Sequence, residues 1–102
     1  MIVAIVRFPL PAGTSLAKAT ELFQGSAPRY RDMPGLVRKY YLFGEGTGGG
    51  CYLWESRAAA DAVYTAEWRQ MIKERYGAEP SVEYFDSPVI VDNLSQQILA
   101  AE

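Results

Sequence analysis

The glycine-rich run FGEGTGGG at residues 43–50 constrains this chain more than any other feature. Gly44, Gly46 and Gly49 satisfy G-x-G-x-x-G, the spacing of a dinucleotide-binding loop. Such a loop must come after a strand and open directly into a helix, whose N-terminal N–H groups meet the pyrophosphate. A strand-like segment, LVRKYYLF, does precede it at 36–43. The segment after it, GCYLWE at 50–55, is again strand-like, and the next helix starts only at Ser56. No Gly-Lys-Ser/Thr is present either, so a phosphate loop of the Walker kind is excluded. The glycines therefore read as a turn between two antiparallel strands. With 43 and 49 flanking a five-residue loop, 42 opposes 50, 40 opposes 52 and 38 opposes 54. That register puts Arg38, Tyr40, Tyr52 and Trp54 on one face.

The other elements are read from periodicity and punctuation. IVAIVRF at 2–8 is apolar on both alternating faces and reads as a strand closed by Pro9 and Pro11. Thr14 or Ser15 offers an N-cap for a helix carrying Leu16, Ala19, Leu22, Phe23, Ala27 and Tyr30 at helical spacing. Gly25 weakens this helix, and Pro28 should bend it. Ser56 caps a second helical stretch that ends at Gly77. Ala59, Ala62 and Val63 lie on one side of that stretch, and Trp68, Met71, Ile72 and Tyr76 on roughly the other. One straight helix cannot bury both stripes, so the spacing predicts a break at Thr65, a second N-cap. SVEYFD at 81–86 reads as a strand with Val82 and Tyr84 on one face. VIV at 89–91 is expected to extend it past Pro88, with residues 93–102 as a tail or short helix.

The order β-α-β-β-α-β is the ferredoxin-like arrangement, an α+β fold with an antiparallel four-stranded sheet and both helices on one face. A chain of 102 residues is expected to form one domain of this kind. The strands, however, are apolar on both faces. Something must cover the second face, and the simplest cover is a second copy packed sheet to sheet.

Composition removes several function classes. The formal net charge is −2 without a basic cluster, so nucleic acid is not an expected partner. No segment approaches the ~20 apolar residues that span a bilayer, and the N-terminus does not read as a signal peptide. A single cysteine, Cys51, fits a reducing compartment, and the expected location is cytoplasmic. The chain contains no histidine, which removes the usual general base, the usual haem ligand and the commonest metal ligand. Asp61, Glu67 and Glu74 fall on different sides of their helical stretch and form no obvious metal-holding pair. No metal or cofactor is expected.

The runs PGLVRKYYLF, GGGCYLWES and AEWRQMIKERYGAEPSVEYFD, with PVIVDN after them, together resemble the mono-oxygenases of the YdhR type over residues 1–93. These are dimeric α+β barrel proteins related in fold to the antibiotic-biosynthesis mono-oxygenases. The resemblance implies two ferredoxin-like subunits pairing through their sheets. It also implies an apolar cavity between sheet and helices, where an aromatic substrate's own carbanion reacts with O₂ without a cofactor.

Thirteen aromatic residues (seven Tyr, four Phe, two Trp) supply candidate walls for such a cavity. Arg38, Tyr40, Tyr52 and Trp54 from the hairpin, with Tyr64 and Trp68 from the second helical stretch, are the candidate lining of a pocket for a flat aromatic ligand. Core or interface packing is the plainer reading of the same residues, since aromatic side chains dominate cores and interfaces in any case. Lys39 opposes Leu53 in this register, which makes Glu55 a diagonal salt-bridge partner. No residue is assigned a catalytic role. The expected function is a cofactor-independent mono-oxygenase acting on a small aromatic or enolisable substrate. The alternative is a non-catalytic small-ligand-binding or stress-response protein of the same architecture.

Overall fold

The structure, a computed structural model, describes residues 1–100. Strand β1 (Ile2–Pro9) leads into helix α1 (Leu16–Tyr30), strands β2 (Leu36–Gly44) and β3 (Thr47–Trp54), helices α2 (Arg57–Val63) and α3 (Ala66–Tyr76), and strand β4 (Ser81–Asp86). The four strands form one antiparallel sheet in the order β2-β3-β1-β4. This is the ferredoxin-like α+β arrangement expected from the element order.

Strand parity sets the layers. Ala4, Val6 and Phe8 of β1 and Tyr52 and Trp54 of β3 are buried beneath the helices. They meet Ala19, Phe23 and Tyr30 of α1, Ala60 of α2, and Trp68, Ile72 and Tyr76 of α3. The largest fully buried side chains are Trp54, Trp68 and Tyr52, so the core is built chiefly from aromatic rings.

Each helix begins where a hydroxyl can accept a free N–H. Ser15 Oγ accepts from Lys18 N at 3.1 Å, Ser56 Oγ from Ala59 N at 3.1 Å, and Thr65 Oγ1 from Trp68 N at 3.2 Å. The helical stretch breaks between Val63 and Ala66, as the opposed stripes require. Gly77 ends α3 with φ at +88°, a conformation that other residues reach only at a cost.

The chain after β4 departs from expectation. Residues 89–91 do not extend β4, and residues 93–100 are not helical. Strands β5 (Val89–Asp92) and β6 (Gln97–Ala100) instead pair as a separate two-stranded hairpin. The reason lies in the turn. Asp92 Oδ1 accepts from Leu94 N at 2.9 Å and Ser95 N at 3.3 Å, and Gln96 takes φ +59°. This side-chain mimic of a backbone turn outweighs the helical preference of Gln, Leu and Ala. Residues 101–102, which belonged to the expected tail, lie outside the described residues.

The face of the sheet away from the helices carries large apolar side chains, as the two-sided strands predicted, with Arg38 and the exposed Arg7–Glu83 ion pair among them. Phe85 is 52 % exposed, Tyr40 54 % and Leu42 39 %. The β5–β6 hairpin lies over one end of this face. Together they form a groove of about 610 Å³ whose walls include Val3, Leu53, Val89 and Leu99.

Candidate functional site

The hairpin register corrects the expected side-chain grouping. The loop between β2 and β3 contains only Glu45 and Gly46, with Gly44 opposite Thr47. Arg38 therefore opposes Leu53, Lys39 opposes Tyr52, Tyr40 opposes Cys51 and Tyr41 opposes Gly50. This differs by one residue from the five-residue loop, and a one-residue slip exchanges the two faces of a strand. An irregularity between Leu36 and Arg38 shifts the register again and leaves Leu36 opposite Trp54.

Arg38, Tyr40, Tyr52 and Trp54 consequently do not share a face. Arg38 and Tyr40 stand on the open face, where Arg38 Nη1 donates to Tyr40 Oη at 3.1 Å. Tyr52 and Trp54 lie under the helices beside Tyr64 and Trp68. The Tyr52 and Trp54 rings are nearly parallel at 6.0 Å, and Tyr64 meets both edge-on. Trp54 Nε1 donates to Tyr64 Oη at 3.0 Å, and Trp68 Nε1 donates to Tyr30 Oη at 3.0 Å. The polar ends of both indoles are thus satisfied inside the protein.

A cleft of about 460 Å³ opens between α1, α3 and the sheet on the helix side. Its walls are Phe8, Tyr30, Tyr41, Tyr52 and Tyr76, with Arg29, Glu74 and Arg75 among its other lining groups. Of the six candidates drawn from the sequence, only Tyr52 lines it. Trp54, Tyr64 and Trp68 form the packed layer behind. Tyr30, Tyr41 and Tyr76 were not among the pocket candidates, and Lys39, read from the sequence as a salt-bridge residue, lines the cleft because the hairpin register turns it and Tyr41 towards the helices.

Lys39 is the distinctive group of this cleft. Its Nζ sits 3.5 Å from the ring centroid of Tyr30, 3.8 Å from that of Tyr41 and 4.5 Å from that of Tyr52. It makes no ion pair among the described residues, and Glu55 is not its partner because Lys39 faces the helices. Gly50 makes room for this approach: a Cβ there would stand 3.1 Å from Lys39 Cε and 2.8 Å from the Tyr52 ring.

Burial pulls the Lys39 ammonium down from the ordinary lysine value to about 6. The ring faces act the other way by attracting the cation, but without a carboxylate they do not replace lost hydration. Burial pushes the Tyr52 hydroxyl up, assisted by Tyr30 and Tyr64, and pushes those of Tyr64 and Tyr41 up as well. These tyrosines stay neutral near pH ~7. On the open face burial also raises the Cys51 thiol, which opposes a nucleophilic role for it. Among the described residues no cluster of three or more acidic or cysteine side chains could hold a metal, and no helix is long and apolar enough to cross a membrane.

Among solved structures, a protein of unknown function from Nitrosomonas europaea superposes with a TM-score of 0.67 at 16% identity, over 84% of this chain and 87% of that one. The mono-oxygenase of the ActVA-Orf6 gene of Streptomyces coelicolor, solved with nanaomycin D, gives 0.62 at 24% identity over 84% and 86%. A variant of SnoaB, a cofactor-independent oxygenase from Streptomyces nogalater, gives 0.60 at 15% over 84% and 91%. No protein-family model and no curated protein matches the chain. At these identities the likeness is one of architecture, and in architecture this chain is a ferredoxin-like protein with the fold of the antibiotic-biosynthesis mono-oxygenases.

Proposed function

We propose that the protein is a cofactor-independent mono-oxygenase acting on a small aromatic or enolisable compound in the cleft between sheet and helices. The observation that carries this reading is the cleft itself. It holds about 460 Å³, is walled by tyrosines, and has one amine at its aromatic floor. Such a space suits a planar ring. A cation beside the bound ring would stabilise the enolate or phenolate that must form before O₂ can react. The shared fold with a cofactor-independent oxygenase supports the same direction.

The test is oxygen consumption with a panel of quinols and enolisable ketones in chelator-treated protein. Substrate-dependent uptake is the expected result. Saturable binding without uptake across the panel would overturn the enzyme reading and favour a ligand-binding protein.

The working unit is a homodimer paired through the open sheet face, in a cytoplasm that keeps Cys51 reduced. The reason is the apolar side chains that this face presents to water, Tyr40, Leu42 and Phe85 among them, which a partner sheet would cover. The groove beneath the β5–β6 hairpin belongs to this interface in our reading. Light scattering should give twice the mass of one chain. Leu53→Glu places a carboxylate near the C-terminal end of β3 on this face, where burial without a partner costs several kcal/mol, and should yield monomers. A monomeric wild-type protein at micromolar concentration would sink the dimer.

A further inference from the structure

We infer that Lys39 is the proton acceptor of the cleft: a neutral amine that removes a proton from a bound, weakly acidic phenol or enol and then pairs as ammonium with the anion. The inference rests on the proposed use of the cleft and adds a catalytic residue that neither the fold nor the comparisons assign.

Three observations carry it. First, Nζ stands over three ring faces in the cleft floor with no carboxylate within 4.0 Å among the described residues, so its charged form has no direct counter-ion there. An unpaired buried ammonium is costly, and the amine avoids that cost by staying neutral. Its lowered pKa is the same physics in another form. Second, the chain has no histidine, and the other titratable groups around Nζ are poorly suited to accept a proton. Tyr41 from β2 and Tyr52 from β3 have hydroxyls pushed upward by burial. Tyr30 Oη from α1 already accepts from Trp68. Arg29 of α1 and Arg75 of α3 present guanidinium N–H donors and no acceptor. Glu74 of α3, the one carboxylate lining the cleft among the described residues, is exposed, accepts from Gln70 Nε2 at 3.3 Å and makes no ion pair with Lys39. Third, Gly50 keeps the space beside Lys39 Cε open.

The step balances without a redox partner. The substrate O–H or C–H bond breaks and its electron pair stays on the substrate. The proton forms a new N–H bond on Nζ. The product is an ammonium–anion pair in which the substrate supplies the missing counter-charge. The anion is then the species that O₂ can oxidise.

The test uses para-nitrophenol, whose phenolate absorbs at longer wavelength than the phenol, added to the full-length protein near neutral pH. Binding is read by quenching of tryptophan fluorescence. The expected result is a phenolate band on binding with no proton released to a weakly buffered solution, because the proton stays on Lys39. Lys39→Arg keeps a cation that cannot accept a proton, so each probe molecule that it converts from phenol to bound phenolate should release its proton to the solution. Lys39→Met should bind the probe as phenol, with the phenolate fraction down about tenfold or more. Carbon NMR of the three lysine Cε positions, assigned by the loss of one signal in Lys39→Met, should show Lys39 titrating far below the other two.

Proton release by the wild type, an ordinary Lys39 titration, or binding without ionisation would each overturn the assignment while leaving the cleft as a binding site. Failure to bind any phenol overturns both readings together. Ionisation with proton retention but no oxygen uptake upholds Lys39 and removes the oxygenase.

Discussion

Replacing Trp54 by alanine should cost about 3–5 kcal/mol of folding stability, the range for deleting a fully buried large aromatic side chain. Trp54 is 0 % exposed and is packed against Tyr52 and Tyr64 on the helix side of β3. Its removal leaves a void that rigid rings cannot easily fill. It also strips Tyr64 Oη of its indole donor. A domain of this size is commonly stable by only about 5–15 kcal/mol, so the variant should sit near the edge of folding. Urea unfolding monitored by near-ultraviolet circular dichroism measures the change. Trp54→Phe should recover part of the packing and lose the hydrogen bond. A loss below about 1 kcal/mol for the alanine variant would mean that Trp54 is not packed as described.

The second large effect is a pH dependence. Lys39 titrates at about 6 in the folded chain against 10.5 as an ordinary lysine. Between those values the unfolded chain binds one proton more than the folded one, so stability rises with pH across the window. The slope from this group is at most about 1.4 kcal/mol per pH unit. Below the folded value the whole penalty is present, and above the unfolded value it is gone. Lys39→Met removes the titrating group and fills the same space with an apolar chain. Its stability advantage over wild type should be largest in mild acid and should shrink steadily as pH rises. Urea midpoints for both proteins at a fixed protein concentration test this. A difference independent of pH would mean that Lys39 is charged and solvated in the native protein.

The elements were legible because the residues that delimit them act locally. Ser15, Ser56 and Thr65 each serve an N–H only three residues away, so their helix starts can be read from short windows. The reversal of the apolar stripe at Thr65 is equally local. The site was less legible, because its register depends on where the turn falls inside FGEGTGGG, and several placements suit the glycines equally. The winning placement is decided across the sheet. Thr47 and Gly48, which the five-residue loop took in, pair with Pro9 and Phe8 of β1, where a Cβ at Gly48 would stand 3.0 Å from the Phe8 ring, so both belong inside β3. No window around the turn contains that contact. The C-terminal hairpin was missed for a related reason: QQILAA has helical propensity, but Asp92 fixes a turn just ahead of it.

The two-residue turn at Glu45–Gly46 also has an evolutionary consequence. Lys39 and Tyr41 look into the cleft while Arg38 and Tyr40 look away only because of the parity that this turn sets. Gaining or losing a single codon there, with the far end of β2 re-registering, would rotate a guanidinium and a different tyrosine inward. An amine able to take up a proton would give way to a permanently charged anion binder. Relatives with this fold need not mutate their pocket residues to change what the pocket does. An insertion at the hairpin tip, far along the strand from the amine, would be enough.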